Sequence, residues 1–377
     1  MGKKIKKGKN QQSKKDKENE VIPALLPFKK VIVQKSIHST TLNFCFLSKT
    51  NNYIITCSSS YLSLLDINNF NVLSKYKMYE PILFLIELTN NRILLSNAKL
   101  IYIFEVQNNT TLNLLYFYEE KNYEKMGVIG CFELDKENIL IITPALFKYY
   151  KQQQTKNDIL KLYDTFDIGK IIELKYEDYG TQFKSSFLIT NNNFIVLLTH
   201  QEMYIINHIN KSLVKKIEIE LPRSLLKYLI LEKNSTLIYH KKKLILFNNE
   251  HFEIVNQFYL NNDKDEITCV EKIKKDKCLV FGTNNGKIYV YNYYSTEIIK
   301  QINFEEKKFN IFWIKEINDN IIVNNLPKGE IAFTNYDSGK LIGKINLKNS
   351  LNYRKGVFVE ETKKLLLGCA NNFAFLE

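Results

Sequence analysis

Cysteine, histidine and arginine are scarce in this chain. Six Cys stand among 377 residues, at Cys45, Cys57, Cys131, Cys269, Cys278 and Cys369, and no two form a C-x-x-C pair. That excludes a disulfide scaffold and points to a reducing compartment, with the thiols as small buried apolar groups. The five His are His38, His200, His208, His240 and His251, none near a Cys, so structural zinc and a Ser-His-Asp site both lack material. We read these histidines as surface or turn residues. Arg occurs only at Arg92, Arg223 and Arg354, never as a pair. No apolar run nears the roughly 18–20 residues that span a bilayer. No helix of useful length with 3.6 periodicity stands out. Neither cofactor nor metal is implied, and no motif names a reaction.

Lysine is abundant instead. The formal charge is +13, and residues 1–20 hold eight Lys against three acidic residues. This stretch lacks aromatics and any following apolar run, so it predicts a solvated basic tail rather than a secretory leader. Its run Lys3, Lys4, Lys6, Lys7, Lys9 suits contact with RNA or another acidic partner. The expected setting is intracellular, nucleus or cytoplasm, and not secreted.

From about Val21 the chain is a series of short apolar runs rich in Ile, Leu, Val, Phe and Tyr, each bounded by Asn, Asp, Gly or Lys. This is the pattern of an all-β chain. The clearest unit runs from Ile267 to Phe304, with four strands in about 40 residues. First strands recur near Leu42, Leu83, Val128, Ser185, Leu225, Ile267, Asn310 and Val357, at steps of 40–47 residues save one of 57. Four strands per such period predict a closed β-propeller. The long step places an inserted loop at 146–157, with Lys148, Tyr149 and Tyr150 as exposed contact candidates. Trp313 reads as packing between blades. Gly282–Lys287 echoes a phosphate loop, but a strand follows where a helix is needed, so we read a hairpin turn.

Third strands end in an apolar residue followed by Asp, Asn or Glu. The pairs are Leu65-Asp66, Phe104-Glu105, Tyr163-Asp164, Ile206-Asn207, Phe247-Asn248, Tyr291-Asn292, Thr334-Asn335 and Leu376-Glu377. This resembles a degenerate WD-repeat family, whose third strand ends in Trp-Asp. Gly286–Asn292 and Gly329–Asn335 match the family pattern best, and Asp66, Asp164, Asn292 and Asn335 stand at its strand-end positions. No Trp-Asp survives, and the family's Gly-His dipeptide is absent.

The last unit lacks a fourth strand, while an orphan strand at Val31–Ile37 precedes the first. The resemblance implies that this N-terminal strand completes the C-terminal blade. Eight blades are then expected, seven being the alternative count, with residues 21–377 as one propeller. The resemblance implies a non-catalytic interaction scaffold in an intracellular multiprotein complex. The alternative is an RNA-linked subunit in ribosome assembly or RNA processing. A phosphoinositide-binding propeller would need the paired arginines this chain lacks.

Overall fold

The computed structural model describes residues 31–35, 42–97, 99–119, 128–143, 145–152, 160–172, 185–189, 193–199, 201–219, 226–262, 264–275, 277–304, 308–318, 320–347, 355–368 and 372–376. The Lys-rich run Lys3–Lys9, His38, His200 and Cys369 lie outside them.

The first strand is β1 (Val31–Lys35). Seven antiparallel four-stranded blades then follow from consecutive strands. Blade 1 is β2 (Leu42–Leu47), β3 (Tyr53–Ser58), β4 (Tyr61–Asp66) and β5 (Val72–Lys77). Blade 2 is β6 (Phe84–Glu87), β7 (Arg92–Ser96), β8 (Leu100–Gln107) and β9 (Thr111–Glu119). Blade 3 is β10 (Gly130–Glu133), β11 (Asn138–Ile142), β12 (Leu146–Gln152) and β13 (Leu160–Asp167), followed by the short α1 (Ile168–Ile172). Blade 4 is β14 (Ser185–Leu188), β15 (Phe194–Leu198), β16 (Glu202–Asn207) and β17 (Ser212–Glu218). Blade 5 is β18 (Lys227–Glu232), β19 (Ser235–His240), β20 (Lys243–Asn248) and β21 (Glu253–Tyr259). Blade 6 is β22 (Ile267–Lys272), β23 (Cys278–Thr283), β24 (Lys287–Asn292) and β25 (Glu297–Asn303). Blade 7 is β26 (Ile314–Asn318), β27 (Ile321–Asn325), β28 (Glu330–Asn335) and β29 (Lys340–Asn346). A composite sheet joins β30 (Lys355–Val359), β31 (Lys364–Gly368) and β32 (Asn372–Leu376) to β1, which pairs antiparallel with β32 from Val31–Leu376 to Lys35–Asn372.

The strand sequences explain these positions. Second and third strands are apolar on both faces, as in β3, which is buried throughout, because neighbouring blades cover them on both sides. Fourth strands alternate, as in β21, and face solvent at the rim. The core therefore lies between blades. Tyr53 and Leu64 of blade 1 cluster with Ile93 and Phe104 of blade 2, and the same join recurs from blade to blade. Val359 and Leu366 of the composite sheet cluster with Ile54, Leu65 and Phe70 of blade 1. First strands pack against first strands, β26 on β30 and β30 on β2 among them, so they line the axis.

Carboxylates at the ends of first strands stitch blades together. Glu87 Oε2 accepts from Lys49 N–H at 2.6 Å, Glu133 Oε1 from Thr89 N–H at 2.7 Å, and Glu316 Oε2 from Lys274 N–H at 2.7 Å. Each satisfies a hairpin amide of the preceding blade that would otherwise go unpaired. Lys272 fills the same place in blade 6 and donates to the Leu231 carbonyl.

The strand-end residues cap turns. Asp66 Oδ1 accepts from Asn68 N–H at 2.7 Å, Asn292 Oδ1 from Tyr294 N–H at 2.9 Å, and Asn335 Oδ1 from Ser338 N–H at 2.8 Å. Asn207 and Asn248 do the same. The residue four positions on is left-handed each time: Phe70, Lys211, Phe252, Thr296 and Gly339. An Asx side chain thus closes each four-residue hairpin turn between third and fourth strands. Gly282–Lys287 is a hairpin turn between β23 and β24, as expected.

Blade 3 corrects the sequence reading. Residues 146–152 of the expected loop form its third strand, β12. Tyr149 and Tyr150 are buried there, directly after Lys148 on the strand. Asp164 accordingly falls within the fourth strand, β13, and ends no third strand. The misreading has a physical cause: Lys148 and Lys151 interrupt the apolar pattern, while both tyrosines serve as core residues.

Candidate functional site

A cavity of about 340 Å³ lies between blades 3 and 4. Blade 3 supplies Asp135 and Asn138 from its first hairpin, Tyr149 from β12, and Tyr163 and Asp164 from β13. Blade 4 supplies Asn193 and the turn residues His208, Ile209 and Lys211.

Each side chain is held by local structure. Asp135 Oδ1 accepts from the Glu137 and Asn138 backbone amides, both at 2.8 Å, and its Oδ2 accepts from Asn138 Nδ2 at 2.7 Å. Burial opposes its charge, yet these donors and the Lys151 charge hold the carboxyl below the usual carboxylate range. The Tyr149 hydroxyl crosses the cleft and donates to the His208 carbonyl at 3.0 Å. Its ring lies 6.0 Å from the His208 ring and 6.2 Å from that of Tyr163. Burial, then the Asp164 charge, pushes the Tyr149 phenol well above its usual range, so it stays a neutral donor. Lys211 Nζ reaches back over the cleft to Asp164 Oδ2 at 2.5 Å and lies 5.2 Å from the centre of the Phe166 ring.

The lip is apolar and open. Asn207 Oδ1 accepts from the Ile209 and Asn210 amides, each at 3.0 Å, and this turn thrusts Ile209 into solvent at 62% exposure. Tyr163, 53% exposed, lines the cavity from β13. An apolar lip over a floor of aromatic rings and fixed hydrogen-bonding groups suits reversible docking of a side chain. Elsewhere, burial pushes the thiols of Cys45, Cys57 and Cys269 up to about 12, so they are poor nucleophiles at neutral pH.

The structure brings Tyr149 and Asp164 into this cleft, while Tyr150 and Lys148 line a small hollow toward blade 2. Asp66, Asn292 and Asn335 stay in turns on other blades. His208 sits in a turn, as expected, but is buried; His240 is buried on β19, against the expected surface or turn position; His251 lies in an exposed turn. Sequence reading missed Asp135, Asn138, His208, Ile209 and Lys211. The Asn207 strand-end signal could have located the turn that holds three of them.

Radial four-stranded blades with their cores between neighbours define the chain as a β-propeller. No protein-family model matches the sequence, and no curated protein matches it significantly. Solved structures resemble it in fold. Sqt1 of Saccharomyces cerevisiae superposes with a TM-score of 0.67 at 10% identity, covering 91% of this chain and 97% of that one. Sqt1 of Chaetomium thermophilum, bound to the N-terminus of the ribosomal protein L10, gives 0.66 at 9% identity over 90% and 97%. The Dos1 propeller gives 0.68 at 9% identity over 94% and 95%.

Proposed function

We propose that this chain is a non-catalytic scaffold subunit of an intracellular multiprotein complex, and that the cleft between blades 3 and 4 receives an apolar anchor side chain from a partner polypeptide. The observation that carries this reading is the exposed apolar pair Tyr163 and Ile209 at the mouth of a polar-floored cavity. A propeller of similar fold bound to the N-terminus of a ribosomal protein supports a polypeptide segment as the ligand. Protonated, buried thiols support the non-catalytic part. We take the composite sheet as an eighth blade that closes the ring. The β1–β32 pairing and the apolar cluster shared with blade 1 support this, and closure removes exposed sheet edges.

The test is affinity purification from cells, with and without nuclease, comparing the native chain with Ile209→Asp. A partner held through the cleft survives nuclease and is lost from the variant, while the variant keeps the native circular dichroism spectrum. Equal recovery by both chains overturns the cleft as the docking site. Partners that vanish with nuclease favour the RNA-linked reading, in which the basic tail and the +13 charge contact phosphate.

A further inference from the structure

The polar floor of the cleft between blades 3 and 4 bears on the kind of side chain it takes. Three charged groups line the cavity: Asp135 and Asp164 from blade 3, and Lys211 from blade 4. Two carboxylates therefore share one ammonium. Outside the lining, Lys151 pairs with Glu137 at 3.3 Å, and Lys136 stands on the same hairpin as Asp135. Lys211 Nζ donates to Oδ2 of Asp164 at 2.5 Å, while Oδ1 of that carboxylate has no hydrogen-bond partner among the described residues. Asp135 is held by uncharged donors, the amides of Glu137 and Asn138 and the side chain of Asn138. One negative charge of the lining is thus left unmatched.

An anchor that is apolar to its tip would strip water from these carboxylates and return no donor, which is costly. A cation at the end of an apolar stem suits both the mouth and the floor. The cleft already holds one group of this kind: the Lys211 ammonium sits on Asp164, 5.2 Å from the centre of the Phe166 ring. Tyr149 and Tyr163, with ring centres 6.2 Å apart, line the same cavity with further aromatic surface.

We infer that the anchor received by this cleft is a lysine side chain of the partner polypeptide. Its methylene stem packs on Ile209 and Tyr163 at the mouth, and its ammonium meets Asp164 Oδ1 beside the tyrosine rings. Lysine fits better than arginine because Lys211 leaves only one oxygen of Asp164 open. An ammonium is a point charge that uses a single acceptor, whereas the guanidinium fork is matched by both oxygens of a carboxylate. The attraction is local to the cleft, since the chain as a whole carries +13. This inference rests on the reading of the cleft as a docking site and adds the charge of the docked group.

The experiment is a saturation-transfer NMR titration of the full chain with two probes of similar shape, Nα-acetyl-lysine methylamide and Nα-acetyl-norleucine methylamide, at constant ionic strength. The lysine probe should saturate, and the norleucine probe should bind about fivefold more weakly. Asp164→Asn should weaken the lysine probe about fivefold and spare the norleucine probe. Lys211→Gln frees Asp164 Oδ2 and should tighten the lysine probe by a similar factor, whereas a purely structural ion pair would give no gain. Equal binding of both probes, or tighter norleucine, overturns the lysine assignment and leaves the cleft as a site for a wholly apolar anchor. No saturation by either probe in the millimolar range overturns the cleft itself, and both readings with it. Lysine affinity unchanged in a folded Asp164→Asn chain places that binding elsewhere and overturns the inference. Should that variant not fold, Lys211→Gln decides, and unchanged or weaker lysine binding there counts against the site.

Discussion

Gly356 is the residue on which the join between blade 7 and the composite sheet turns. It is the second residue of β30, and a Cβ placed on it would lie 2.8 Å from Trp313 Cε3 and 3.0 Å from Cζ3. The indole cannot swing away. It is 5% exposed and shares a cluster with Ile317, Val323, Phe333, Leu365 and Leu367. Gly356→Ala therefore forces either the indole or β30 to move, and overpacking of this kind costs about 1–3 kcal/mol. With an unfolding entropy of about 2.1 cal/mol/K per residue, that lowers Tm by about 1–4 °C. Trp313 is the only tryptophan in the chain, so its emission reads this join directly. Urea titration followed by that emission should show an earlier midpoint and a shifted native spectrum. Trp313→Phe removes the benzo ring that clashes. The Trp313→Phe/Gly356→Ala pair, followed by circular dichroism, should be more stable than the sum of the single changes by about 1 kcal/mol or more. A Gly356→Ala chain with native midpoint and emission, or strictly additive double substitution, refutes this account of the join.

Thr296 holds a left-handed φ of 61°, costly for a β-branched side chain, so Thr296→Gly should raise stability by about 1 kcal/mol in a urea titration. Gly339→Ala, at the equivalent turn position with φ 73°, should lower it by a similar amount. Glu316→Ala strands the Lys274 amide and the Tyr336 hydroxyl, which donates to Glu316 Oε1 at 2.8 Å; a loss of about 1.5–3 kcal/mol should appear in the denaturation midpoint. Asp265 sets a pH dependence. Burial opposes its charge, but Lys287 Nζ at 2.8 Å, Asn285 Nδ2 at 2.6 Å and Tyr289 hold its carboxyl below the usual range. A depressed native pKa contributes stability that is complete above about pH 4 and is lost as pH falls through the lower native value. Thermal scans across that interval should show a shallower acid loss in Asp265→Asn, and a slope identical to wild type would remove Asp265 as its source.

The rhythm of strands was legible in the residues because a propeller repeats one local problem. Each blade needs two doubly covered strands, one outer strand and tight turns, and apolar runs with Asx ends encode that locally. The αL residue was hidden in four of these five turns, since only Gly339 is a glycine and Phe70, Lys211, Phe252 and Thr296 do not announce it. Blade 3 was misread where lysines interrupt a strand whose tyrosines face neighbouring blades. The cleft could not be read at all: Tyr149 meets His208 across 59 residues, and their contact exists only because two blades stand side by side.

The amino-acid order by itself determined the all-β class, the period, the turn caps and the excess of lysine, each a property of neighbours along the chain. Tertiary structure alone decided what faces what. The partners of Glu87, Glu133 and Glu316 lie one blade back, about 40 residues away along the chain. Such contacts depend on the angle and packing of whole blades, which are set by side chains filling the wedges between them and leave no mark in local sequence.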